Sequence, residues 1–112
     1  MAMRNIKPQV DMEIDLMKRD WRSWLDRVRR AASEVIPDST TRYIVDKNDV
    51  ITFIIEVGYK PGDEILLESL IDELLRRSNL PFYSPFKIVL RYPTSNGYNT
   101  IDVLNAFNGG RL

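Results

Sequence analysis

Glu56 and Lys60, within the run VITFIIEVGYKPGDE at residues 50–64, have the residue types for phosphate chemistry. A carboxylate ending an apolar strand with a lysine close behind can form the corner of a metal-dependent nuclease. Such a site needs at least two carboxylates on the ion, with ligand oxygens about 2 to 2.5 Å away. The acids at the turn of the same candidate hairpin are Asp46 and Asp49. If residues 43–45 and 51–53 pair around Lys47-Asn48-Asp49, those acids sit at the opposite end of the hairpin from Glu56. Roughly six strand positions of about 3.3 Å then separate them by about 20 Å, so they cannot share a metal. Gly58 also occupies the same-face position at which a Glu-x-Lys pair needs its lysine. The plainer reading is a strand that ends at Gly58, a solvated Lys60, and a helix entry at Pro61-Gly62-Asp63. No metal and no cofactor are expected.

The chain has no cysteine and no histidine. That removes disulfides, thiolate nucleophiles, Cys/His zinc sites and every triad built on histidine. Ser78, Ser84 and Ser95 have no imidazole to activate them, and Lys60 and Lys87 lack an apolar pocket that would lower a pKa. No catalytic residue is expected, and the chain reads as non-enzymatic. Sixteen basic residues balance sixteen acidic ones in 112, so no global field draws the chain to nucleic acid or an anionic membrane. No run approaches the roughly 18 apolar residues of a membrane span. The start, MAMRNIKPQVDMEID, lacks the apolar core of a secretory signal, and a cytoplasmic setting is expected.

The elements that would carry these residues follow from periodicity. Residues 1–10 read as a flexible arm interrupted by Pro8. Met17, Trp21, Trp24, Leu25, Val28, Ala31, Ala32 and Val35 recur at helical spacing and predict one long helix over 12–35, stopped by Pro37. Asp11, Glu13 and Asp15 gather at its front. A hairpin follows. A three-residue loop pairs Val45 with Ile51 and Tyr43 with Phe53, which keeps the large apolar side chains on one face and lets Asn48 or Asp49 take the left-handed conformation. Asp63 reads as the N-cap of a second helix, whose apolar face is Leu66, Leu67, Leu70, Ile71, Leu74 and Leu75 and whose stop is Asn79 before Pro81. Phe86, Ile88, Leu90 and Tyr92 alternate with Lys87, Val89 and Arg91 in a third strand. PTSNGYN reads as a polar loop, and a short helix capped by Asn99 or Thr100 and stopped by Gly109 closes the chain, with 109–112 a loose tail. The expected architecture is a single α+β domain of two layers in the order α-β-β-α-β-α, with helices against a three-stranded sheet.

Two surfaces remain as candidates for function. Two amphipathic helices cover one face of a small sheet, leaving the other to carry Ile44, Val50, Thr52, Ile54 and Val89, bordered by Arg42, Glu56, Lys87 and Arg91. An apolar centre with a charged rim is the anatomy of a protein interface. The terminal helix, with Ile101, Val103, Leu104 and Phe107, is the alternative cover. The second surface is Lys18, Arg22 and Arg29 along one edge of the first helix, a row that could track phosphates, although Asp26 lies within reach of Arg22, Arg29 and Arg30. Trp21 and Trp24 fall in the apolar stripe and read as core, not as base-stacking platforms. The leading expectation is a protein-interaction module, an adaptor, inhibitor or assembly subunit, with a homodimer among its forms. A nucleic-acid-binding module stands second, and a small metal- or carboxylate-dependent enzyme third.

Overall fold

The computed structural model describes residues 7–59, 64–81 and 83–103. Among the described residues, three helices and four strands run in the order α1 (Lys7–Arg19), α2 (Trp21–Val35), β1 (Thr40–Val45), β2 (Ile51–Glu56), α3 (Glu64–Ser78), β3 (Lys87–Thr94) and β4 (Gly97–Asp102). The class is α+β, with a mixed four-stranded sheet in the order β1-β2-β3-β4.

The first helix is broken where one was expected. Asp20 leaves helical geometry (φ −101°, ψ 28°), and its carbonyl accepts from the N–H of Ser23 at 3.0 Å and of Trp24 at 3.3 Å. The apolar stripe continues through the break, so periodicity conceals it. The helical part also begins earlier, at Lys7, within the stretch expected to be an arm. Leu25, Val28, Ala31 and Ala32 are the buried stripe of α2. That helix ends as the Ile36 N–H closes onto the Ala32 carbonyl at 2.7 Å, before Pro37. On α3, Ile71 and Leu74 are buried. Asn79 takes φ +56° and donates to the Leu75 carbonyl at 3.1 Å, a left-handed C-cap before Pro81. The expected cap Asp63 and the side chains of Leu66 and Leu67 lie outside the described residues.

β1 and β2 pair antiparallel in the expected register, Val45 opposite Ile51 and Tyr43 opposite Phe53. At the turn Asp49 takes φ +62°, and the Asp46 carboxylate accepts from the N–H groups of Asn48 and Val50 at 2.8 and 3.0 Å. β2 and β3 are parallel through the α3 crossover, and β3 continues into β4 as an antiparallel hairpin. The fourth strand replaces two expectations, the polar loop and the helix cap at Asn99 or Thr100. Ser95-Asn96 forms a tight turn closed by Gly97 at φ +125°, a conformation that side chains disfavour. Residues 97–102 pair with β3 from Thr94 opposite Gly97 to Val89 opposite Asp102. Ile101 is therefore a strand residue. Leu104, Phe107, the Gly109 stop and the 109–112 tail lie outside the described residues.

The core sits between the helices and one face of the sheet. Phe53, Ile55, Ile88, Leu90 and Tyr92 line that face and share a cluster with Leu25, Val28, Ala31, Ala32, Ile71 and Leu74. Phe53 and Phe86 stack with centroids 4.8 Å apart. Among the described residues no helix is long and apolar enough to cross a membrane.

Candidate functional site

The sheet face away from the core carries a lattice of charge around an apolar centre. Register places Arg42, Ile54, Val89 and Asp102 side by side across the four strands, with Glu56 and Arg91 one step along. Glu56 is held by two guanidiniums: Arg42 Nε at 2.7 Å and Arg91 Nη1 at 4.0 Å. Arg91 also lies 4.1 Å over the ring of Tyr98. These pairs are partly solvated, so each contributes about 0 to 1 kcal/mol and fixes geometry more than stability. Ile54 is 8 % exposed, although it lies outside the main core cluster. Val89 is half-buried and Lys87 exposed. Val50 is not with them: it lines a cavity of about 540 Å³ with Ile14, Lys18, Ile51 and Phe86. Among the described residues no group of three or more acids is placed to hold a metal ion.

β1 is an edge strand. The bond from the Asp46 N–H to the Val50 carbonyl, 3.0 Å, sets the phase of the β1–β2 ladder. Because hydrogen-bonded and non-bonded pairs alternate, Arg42 and Ile44 exchange bonds with Ile54 and Thr52. Thr41, Tyr43 and Val45 therefore turn their N–H and C=O groups outward. The Thr41 carbonyl is taken by Arg29, which donates from Nη2 at 3.0 Å and Nε at 3.3 Å. Tyr43, Ile44 and Val45 are 43 %, 46 % and 51 % exposed, with no proline or bulge in the strand. Edges of this kind are normally blunted. The opposite edge, β4, presents Tyr98, Asn99, Thr100 and Asp102 and is more polar.

The Arg-rich row is dispersed. The break at Asp20 puts Lys18 on α1 and Arg22 and Arg29 on α2. Arg22 lies 4.9 Å over Trp21, and Arg29 is tied to Thr41 and, at 3.3 Å, to Asp26. Arg27 lies 4.4 Å over Trp24. Both tryptophans are partly buried against the core, and Trp21 extends it to Tyr43 with ring centroids 4.5 Å apart. The groups whose ionisation the fold shifts lie elsewhere, at the end of α3. Arg77 bonds Glu73 and Glu34 at 2.7 and 2.8 Å. Its hydrogen bond holds the Glu73 carboxyl below its ordinary value, and the same bond raises Arg77. The arrangement staples α3 to α2.

A cleft of about 510 Å³ lies at the bend between α1 and α2, lined by Glu13, Met17, Asp20, Trp24, Leu80 and Tyr83 among others. The Tyr83 hydroxyl donates to Glu13 across it. Sequence reasoning found the rim residues of the outer sheet face but missed the edge itself. The signal was available in the Asp46–Val50 closure of the expected hairpin, which fixes which amides point outward; the Arg29 cap left no mark in the sequence. No family model, curated protein or solved structure matches this chain.

Proposed function

We propose that the protein is a non-enzymatic interaction module that binds a protein partner along the open β1 edge and the adjoining outer sheet face. The observation that carries this reading is the run Tyr43-Ile44-Val45, an exposed apolar edge without the proline or bulge that often protects one. An added strand would satisfy those groups, with main-chain bonds supplying affinity and alternate side chains specificity. Arg42, Glu56 and Arg91 beside it supply a charged rim that sets register. A cytoplasmic setting and an adaptor or assembly role belong to the same reading. Nucleic-acid binding through Lys18, Arg22 and Arg29 is less well supported, since Arg29 serves the β1 edge and Arg22 rests on Trp21.

A photo-reactive amino acid in place of Ile44, with one at Ser95 as control, distinguishes the readings in cells expressing the protein. Adducts of defined protein mass at position 44, absent at 95 and lost on adding Val45→Pro, are expected. Identical adducts at both positions, or adducts removed by nuclease, would count against a protein interface at β1.

A further inference from the structure

We infer that the partner strand at this edge is β1 of a second copy of the chain, paired antiparallel about a two-fold axis through Ile44. This inference rests on the interface reading above and names the occupant of that site.

The free backbone groups choose the register. Among the described residues, only Tyr43 and Val45 of β1 present both an N–H and a C=O to the edge without an internal acceptor or donor, because Arg29 occupies the Thr41 carbonyl. An antiparallel copy satisfies all of them when Tyr43 of one chain lies opposite Val45 of the other. That alignment puts Ile44 against Ile44 at the axis and Arg42 against Asp46 of the second copy on either side. Opposite residues share a face, so an apolar pair is flanked by two ion pairs on the outer face. Tyr43 and Val45 pair on the helix-bearing face.

Neighbouring registers do worse. One step sets Tyr43 against Tyr43 and Arg42 against Ile44, and needs the Thr41 carbonyl that Arg29 holds. The other sets Ile44 against Asp46 and Tyr43 against Lys47. Self-complementarity of one strand is what a two-fold contact requires. Asp46 can serve both purposes, since one of its oxygens, Oδ1, holds the turn. Arg42 likewise bonds Glu56 through Nε and keeps its terminal nitrogens for the second copy.

Sedimentation equilibrium with charge-swapped chains tests this. Wild type should sediment at twice the 13.1 kDa chain mass. Arg42→Asp alone and Asp46→Arg alone each set like charges against one another and should sediment as single chains. Their equimolar mixture restores opposite charges at both positions and should return to the doubled mass. Val45→Pro gives an independent check. It removes a donor that no internal bond uses, so it should yield a folded single chain by circular dichroism, whatever Asp46→Arg does to the turn. A single-chain wild type at high micromolar concentration, a dimer indifferent to Val45→Pro, or folded charge variants whose mixture stays monomeric each overturns the inference. A monomeric wild type that still gives Ile44 adducts with another protein overturns self-pairing alone. Loss of those adducts as well brings down the interface reading.

Discussion

Proline substitution at two adjacent β1 positions reads the hydrogen-bond phase on which the edge argument depends. Val45→Pro and Ile44→Pro impose the same φ and restrict the preceding residue in the same way. They differ in what the lost N–H was doing. At Val45 it points outward from the ladder; at Ile44 it bonds across to Thr52. Losing that bond costs about 0.5 to 1.5 kcal/mol net, and the acceptor left in a buried residue adds about 1 to 3. Ile44→Pro should therefore be less stable than Val45→Pro by about 1.5 to 4.5 kcal/mol. With a urea slope of about 1.5 kcal/mol per molar, the midpoints should differ by about 1 to 3 M. The assay is urea unfolding of both variants at a concentration where each is a single chain. Equal midpoints, or a lower one for Val45→Pro, would refute the phase and with it the outward amides.

Further expectations follow from the core, the salt bridges and the turns. Leu74 is almost fully buried in the cluster between α3, α2 and the sheet, so Leu74→Ala should cost about 2 to 5 kcal/mol in denaturant melts; a loss below about half a kcal/mol contradicts that packing. Because Glu56 is held by arginines, Mg²⁺ or Mn²⁺ should leave the melting temperature unchanged, and a saturable rise abolished by Glu56→Gln would restore the metal reading. Arg77 holds Glu73 below its ordinary value of 4.5. A depressed carboxyl contributes stability present above its unfolded pKa and lost as pH falls through the folded one. Glu73→Gln should then flatten the fall in melting temperature between neutrality and the acid side of 4.5, and an unchanged profile would mean that the Glu73–Arg77 bond within α3 does not stabilise the fold. Gly97→Ala forces a side chain into φ +125° and should lower stability by about 1 to 3 kcal/mol; a neutral result would mean the β3–β4 turn relaxes freely.

What the sequence disclosed depended on whether burial left a periodic mark. The β1–β2 register was legible because a one-residue slip would have turned Phe53 and Ile55 away from the helices, and both are fully buried. The third strand was legible for the same reason, through Ile88 and Leu90. β4 was not. It is an edge strand whose first residues are exposed on both faces, so Tyr98-Asn99-Thr100 carries no alternation. The remaining signal was Asn96-Gly97, a turn pair that marks hairpins. The break at Asp20 was hidden because Met17, Trp21 and Trp24 keep helical spacing across it, although aspartate at that position is a preferred helix-start residue. Among the residues expected to form an interface, Arg42, Ile54, Val89 and Arg91 lie together on the outer sheet face by strand alternation alone. Val50 was not, because it belongs to the turn and packs toward α1.

Amide hydrogen exchange of β1 as a function of protein concentration separates an open edge from a paired one residue by residue. Arg42 and Ile44 bond inward to β2 and should exchange slowly at every concentration. Tyr43 and Val45 should exchange rapidly when the chain is dilute and become protected together as copies assemble. Val45→Pro should abolish the protection at Tyr43 while leaving Arg42 and Ile44 slow. Tyr43 and Val45 amides that stay fast up to the highest soluble concentration, or that are already slow at high dilution, would contradict the account of β1 as an open edge that takes up a second strand.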